Sequence, residues 1–150
     1  MAFAHRLAVV AGTICVLSQS TSRDAAAARL PNPCTLLTSA EISSVVGGTF
    51  GASSPIGPTG CSWMAKGVPV TLVTQDASLW AQATAPLAGI TRLPVSGIGD
   101  AGMYTIAGQF ASLGVRKGAV TIIVRMYGVH PLDKQEALEK SLAAVVLPKL

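Results

Sequence analysis

The sequence predicts an α+β domain: one antiparallel sheet of about five strands, with N-terminal and C-terminal helices packed on it and one disulfide. Three observations carry that expectation. Strand-like runs in the second half are separated by short turns at Gly108-Gln109 and Lys117-Gly118, which favours antiparallel neighbours. Helical periodicity appears at both ends of the folded part, after Thr38 and after Asp133. Two cysteines, Cys34 and Cys61, remain once an N-terminal export segment is set aside.

The elements follow in order. Thr38-Ser39-Ala40-Glu41 reads as a capping box, in which the Thr38 hydroxyl accepts the Glu41 amide and the Glu41 carboxylate reaches back. Leu37 and Ile42 fall at staple positions, Val45 and Val46 extend the apolar face, and Gly47-Gly48 stops the helix. Residues 51–60 are rich in Gly, Ser and Pro and read as a loop. Residues 61–65 and 68–74 form two strands around Lys66-Gly67. Asp76 caps a short helix over residues 77–84, ended by Pro86, and residues 87–95 fit no single pattern. Strands follow over residues 103–107, 110–116 and 120–127. The last helix covers residues 132–147, with Asp133 as N-cap candidate. Its apolar stripe is Ala137, Leu138, Leu142, Val145 and Val146, and Glu136 and Lys140 form an i,i+4 pair.

The first 28 residues read as a secretory signal peptide, and residues 29–150 as a single domain. A short basic stretch ending at Arg6 precedes an uncharged apolar run over residues 7–17, and small residues follow at 25–28. The apolar run is much shorter than the ~20 residues that cross a bilayer. Cleavage after Ala28 is expected, with a site near Ser20 as the alternative. A lipid anchor needs a small residue directly before its cysteine, whereas Cys15 follows Ile14 and Cys34 follows Pro33. The expected product is therefore secreted or periplasmic, with no stable membrane-spanning segment after processing.

Composition narrows the function. Charged residues make up 12% of the chain and hydrophobic ones 50%, which indicates a packed globule rather than a disordered tail. The formal net charge of +4 is spread thinly, with only Arg116-Lys117 adjacent after the signal, so a nucleic-acid-binding stripe is absent. Attraction to acidic envelope polymers is all that such a balance implies. In an oxidising compartment Cys34 and Cys61 are expected to bridge, closing a loop worth ~3.5 kcal/mol by chain entropy. The alternative is two buried thiols. A metal held by both cysteines lacks partners, because His130 is the one histidine after the signal.

Chemistry-bearing motifs are scarce. Gly97-Ile98-Gly99-Asp100-Ala101-Gly102 spells G-x-G-x-x-G, but a strand pattern follows where a dinucleotide site needs a helix, and no acidic residue lies about 20 positions on. A glycine turn with Asp100 bonding to backbone explains it better. His130, Asp133 and Glu136 could share a metal, yet a helix begins among them and Asp133 has a capping role. Glu41, Asp76 and Asp100 could converge as acid and base, though each has a simpler local role. Trp63, two residues after Cys61, is expected to cover the disulfide, and Trp80 to pack. Tyr104 and Tyr127 are expected at the rim with hydroxyls toward water. No catalytic, cofactor-binding or metal-ligating residue is assigned. The candidate interaction surface comprises Phe50, Ser53, Ser54 and Ile56 with Tyr104, Arg116 and Lys117.

Taken together, Pro33-Cys34-Thr35-Leu36-Leu37-Thr38 with Glu41, then Cys61-Ser62-Trp63, Gly97-Ile98-Gly99-Asp100-Ala101 and Val115-Arg116-Lys117-Gly118 give the chain a family resemblance. It resembles a family of small exported domains of unknown function found among actinobacterial cell-envelope lipoproteins. The resemblance covers nearly all of residues 29–150. It implies the same cysteine pair and an antiparallel α+β fold, and it carries no activity. The expected role is a non-enzymatic envelope binding module, needing no cofactor, whose partner is an envelope protein, lipid or glycan and not a nucleic acid. The alternatives are an inhibitor or immunity protein presenting residues 50–60 to a secreted enzyme, and a hydrolase built on Asp100, Glu41 or His130.

Overall fold

Alternation of buried and exposed side chains along Val68–Asp76, Phe110–Lys117 and Val120–Met126 sets the architecture, because a strand with one apolar face must bury it. A computed structural model describes residues 29–150. The expected export segment, with Cys15, lies outside the described residues. In chain order the elements are α1 (Pro33–Leu36), α2 (Ser39–Val46), β1 (Ser54–Ile56), β2 (Gly60–Ala65), β3 (Val68–Asp76), a 3-10 turn (Ala77–Leu79), α3 (Trp80–Ala83), β4 (Thr91–Val95), β5 (Ala101–Ala107), β6 (Phe110–Lys117), β7 (Val120–Met126), α4 (Leu132–Val146) and a closing 3-10 turn (Leu147–Lys149).

The fold is α+β with one antiparallel sheet in the order β1-β2-β3-β7-β6-β5-β4. Among the described residues it has seven strands rather than about five. The two extra strands lie where turn-forming residues hide them. β1 runs through Ser54-Pro55-Ile56 in the expected loop, and all three side chains are exposed, so no burial pattern marks it. β4 is Thr91–Val95, with Pro94 inside it and no alternation. Both are sheet edges, where proline is tolerated and the neighbouring strand's backbone supplies the pairing.

The inner face carries Val70, Leu72, Leu113, Val115, Ile122 and Val124, which share one core with Trp63, Ile42, Leu142 and Val146. α4 lies against β6 and β7 and meets α2, while α1 meets β2 and β3. The Cys34–Cys61 disulfide, with Cα atoms 5.2 Å apart, ties α1 to β2. Cys61 and Trp63 stand on the same face of β2, both in the core. The capping box of α2 forms on both sides, with Glu41 N–H donating to Thr38 Oγ1 and Thr38 N–H to Glu41 Oε2.

α4 departs from expectation in two respects. It starts at Leu132 as expected, but Pro131 is at the cap position with no side-chain cap; the Pro131 carbonyl accepts the first amides, and Asp133 lies inside the first turn. Its buried stripe is Gln135, Glu139, Leu142, Ala143 and Val146, with Ala137 on the exposed side. The shift occurs because two polar residues, Gln135 and Glu139, occupy the inward positions nearest its N-terminus. Lys140 Nζ points to the Ser96 carbonyl at 3.5 Å, and the one ion pair among the described residues joins Lys149 to Glu41 at 2.7 Å.

Candidate functional site on the outer sheet face

Strand order forces the chain over the face that α4 leaves free. β3 is central, and β4, the next strand, is the far edge, so the connection must pass β7, β6 and β5. Four strand spacings make that roughly 19 Å. The connection carries the 3-10 turn and α3. Asp76 starts it by accepting the Ser78 amide at 2.8 Å. Trp80 then lies over the outer face: its ring is 3.5 Å from where a Gly114 Cβ would stand. The Arg116 guanidinium lies 5.9 Å from the Trp80 ring centroid, in cation–π range.

Beneath this roof is a cavity of about 280 Å³. Its floor is built from three cross-strand rows. Arg92, Thr105, Ser112 and Arg125 are successive partners across β4, β5, β6 and β7. The next row is Met103, Gly114 and Ile123, and the last brings Thr121 beside Gln75. All of these line the cavity, which has polar rows flanking an apolar middle under Trp80. Thr105, Ser112 and Thr121 contribute hydroxyls and Arg92 and Arg125 contribute guanidinium groups, and among the described residues no carboxylate lines it.

Two of its polar atoms have no partner. Among the described residues three buried side-chain N or O atoms lack a hydrogen bond: Thr121 Oγ1, Arg92 Nε and Glu139 Oε2. The first two belong to residues lining this cavity. Thr121 is 2% exposed, so its hydroxyl is held out of solvent with nothing to bond. Arg92 Nη1 bonds Thr105 Oγ1, which fixes the guanidinium over the first row.

The expected interaction surface is not one surface. Phe50 is 5% exposed and Tyr104 8% exposed; both are core residues. Phe50 ends a tight return from α2, its amide bonded to Ser43 Oγ, which turns the ring inward. Tyr104 stands on the inner face of β5 beneath α4, where its hydroxyl donates to the Glu136 carbonyl at 2.6 Å rather than to water. Burial, then the Glu139 and Glu136 carboxyls, push its pKa up to about 12. Ser53, Ser54 and Ile56 are exposed at the β1 edge. Arg116 and Lys117 lie on β6, four strands away, with Lys117 Nζ donating to the Leu147 carbonyl. Tyr127 stacks at a tilt on Phe110, ring centroids 5.8 Å apart.

The carboxylates considered for acid–base work are each occupied locally. Glu41 bonds Lys149, which with the Thr38 amide holds its pKa below the ordinary value. Asp76 caps the 3-10 turn, and its Ser78 bonds lower its pKa. Asp100 accepts the Gly118 amide at 2.7 Å, which pins the glycine turn to the β6–β7 hairpin. A Cβ on Gly99 would stand 2.5 Å from the Arg116 carbonyl, so close packing explains that glycine of the G-x-G-x-x-G string. Strand β5 follows it at Ala101, as the turn interpretation requires. Among the described residues no group of three His, Cys, Asp or Glu is arranged to hold a metal.

A second hollow, of about 230 Å³, lies between α2, the β2–β3 turn and α4, lined by Phe50, Val68, Leu138, Lys66 and Lys134 among others. None of the unpartnered atoms lies in it. Of the residues lining the outer-face cavity, the sequence marks Trp80 alone, the stacking partner of Arg116, and only as a packing residue. The signal available in the sequence was the polar alternation itself, Thr121-x-x-x-Arg125 and Ser112-x-Gly114, interleaved with the apolar face. No family model, curated protein or solved structure matches the chain.

Proposed function

We propose that this chain is an exported envelope domain that binds a small ligand on its outer sheet face and does no chemistry on it. The observation that carries this is the buried, unpartnered Thr121 hydroxyl facing a cavity lined by hydroxyls and arginines. Leaving such a group unbonded costs ~1–3 kcal/mol, which a bound molecule relieves. A lining without carboxylate, imidazole or thiol supplies donors but no general base or activated nucleophile. Export is supported by the Cys34–Cys61 bridge, a bond of oxidising compartments. The resemblance to actinobacterial envelope domains agrees with the same location. Among the described residues no helix is long and apolar enough to cross a membrane.

The test is to incubate the purified domain with fractionated envelope extract, repurify it, and weigh it by native mass spectrometry. A small molecule retained by the wild type and lost in Trp80→Ala is the expected result. A domain that emerges bare from every fraction overturns the proposal.

The second interpretation, an inhibitor, is favoured by the exposed β1 edge, whose Ile56 is 51% exposed and whose outer backbone has no neighbour in the sheet among the described residues. It predicts that Ile56→Asp abolishes inhibition of a secreted hydrolase encoded beside this gene.

A further inference from the structure

The geometry points to a phosphate ester as the ligand class of the outer-face cavity, its phosphate between Arg92 and Arg125 and its organic part along Met103 and Ile123 beside Trp80. This rests on the binding role proposed above and adds the chemistry of the ligand.

Charge is the first argument. Arg92 and Arg125 both line the cavity, and neither has a carboxylate partner, since the ion pair found among the described residues is Lys149–Glu41. Thr105 and Ser112 stand between them on the same row. Three strand spacings separate the two arginine backbones by roughly 14 Å, a gap two long side chains can close around an anion. Arginine forks match phosphate oxygens two at a time, and the hydroxyls add further donors. This set exceeds what the two oxygens of a carboxylate can accept.

Shape is the second argument. Gly114 sits inside β6 with no left-handed φ, so its conformation does not call for glycine. A glycine in a strand interior weakens the strand and marks close approach of another group. Here the missing side chain lets the Trp80 ring close down on the sheet, 3.5 Å from where a Cβ would stand, so the ring bounds the cavity at Gly114. An organic body fits beside the ring, against Met103 and Ile123, and the unpartnered Thr121 hydroxyl lies at the far end of the cavity to bond a polar substituent. At about 280 Å³ the cavity is near the lower edge of the roughly 300–1,000 Å³ usual for ligand sites. It admits a headgroup or one ring and not a whole lipid.

The chemistry is shared by soluble phosphate esters and phospholipid headgroups, and the experiment separates them. Tryptophan emission is titrated with phenyl phosphate in about 150 mM salt, where diffuse surface attraction is largely screened. Co-sedimentation is measured with phosphatidylglycerol and with phosphatidylcholine vesicles. Saturable binding of phenyl phosphate alone assigns a soluble ester; Arg125-dependent sedimentation with phosphatidylglycerol but not phosphatidylcholine assigns a headgroup. Arg92→Gln and Arg125→Gln are each expected to raise the dissociation constant at least about tenfold. Lys66→Gln, which removes a charge at the distant β2–β3 turn, is expected to change it less than about twofold. Gly114→Val crowds the Trp80 ring that bounds the cavity, with both arginines in place, and is expected to abolish binding.

No saturable response to either probe overturns the inference. So does a Lys66→Gln effect as large as that of Arg125→Gln, or undiminished binding by Gly114→Val. A Trp80-dependent molecule recovered from extract that contains no phosphorus leaves the binding role standing and ends the phosphate assignment.

Discussion

The backbone N–H of Met126 donates to the side chain of Glu139, 3.0 Å away, and not to the strand beside it. The β6–β7 ladder ends at Ser112–Arg125, so the next rung would join Ala111 to Met126. Instead the Ala111 carbonyl accepts Gln135 Nε2, and Gln135 Nε2 also donates to Glu139 Oε1. Two side chains one helical turn apart on α4 thus replace a missing rung and satisfy backbone groups that burial would leave unbonded. The arrangement leaves Glu139 fully buried with Oε2 unpartnered, and burial pushes its pKa up to about 7.

Glu139 therefore makes stability depend on pH in the direction opposite to most carboxyls. Its folded pKa lies above the model-peptide value of 4.5. Below 4.5 both states hold the proton and nothing is lost. Between 4.5 and about 7 the unfolded chain ionises first, so stability falls as pH rises and levels off above about 7. The whole drop is about 3 kcal/mol. Glu139→Gln keeps an acceptor for Met126 and Gln135 but cannot ionise. Its thermal midpoint is expected to stay flat between pH 4.5 and 8 while that of the wild type declines; parallel curves would show that Glu139 does not titrate in this window.

Cys34→Ser and Cys61→Ser should destabilise alike, and the double variant should be no worse than either. The residues close a loop with a sequence separation of 27. Chain entropy makes such a closure worth roughly 3–4 kcal/mol. Urea titration of the three variants measures it. Clearly additive losses would mean that the cysteines act separately.

The two tryptophans should differ sharply. Trp63 is 1% exposed in the core, and Trp63→Ala is expected to cost about 3–5 kcal/mol or to prevent folding. Trp80 is half-buried, held by Arg116 and the Gly114 floor, and sits on a four-residue helix. Trp80→Ala is expected to cost on the order of 1 kcal/mol. Chemical denaturation followed by circular dichroism distinguishes them; equal losses would place Trp80 in the core.

Much of this fold was legible because its central elements state one pattern each. The Thr38–Glu41 capping box, the alternation Val120-x-Ile122-x-Val124-x-Met126 and the pairing of Cys34 with Cys61 all hold. β1 and β4 were not legible because edge strands take their order from a neighbour and need no apolar face of their own. The stripe of α4 was misplaced for a related reason: Gln135 and Glu139 read as solvent-facing, and only the broken β6–β7 rung explains why they turn inward. The cavity was hidden because its residues meet across four strands, and register cannot be read from one strand at a time. Tyr104 was misread because its tyrosine hydroxyl suggests water, whereas the Glu136 carbonyl takes that role.

Gly114→Ala should raise stability. A Cβ there would stand 3.5 Å from the Trp80 ring, an ordinary contact that displaces nothing. Removing a glycine from a strand interior gains roughly 0.5–1 kcal/mol. A higher denaturation midpoint is the expected result, and a lower one would mean that the Trp80 ring packs against β6 more tightly than this contact allows.

The full pH profile should peak on the acid side of neutrality, at about pH 5, because the carboxyls of this chain pull in two directions. Glu41, through Lys149 and then the Thr38 amide, and Asp76, through Ser78, have folded pKa values below their ordinary ones. What each contributes is present above its unfolded value and is lost as pH falls through the folded one. Glu139 supplies the opposite limb, losing stability as pH climbs from 4.5 toward about 7. Lys149 also bonds the Leu36 carbonyl at 2.8 Å, so Lys149→Ala removes the Glu41 partner and an anchor of the C-terminal turn together. Thermal midpoints across pH 3–8 are expected to show the acid limb shallower in Lys149→Ala and the neutral limb absent in Glu139→Gln. A wild-type maximum above pH 7 would mean that Glu139 is ionised in the folded state, and that the Gln135 and Met126 bonds to its Oε1 outweigh its burial.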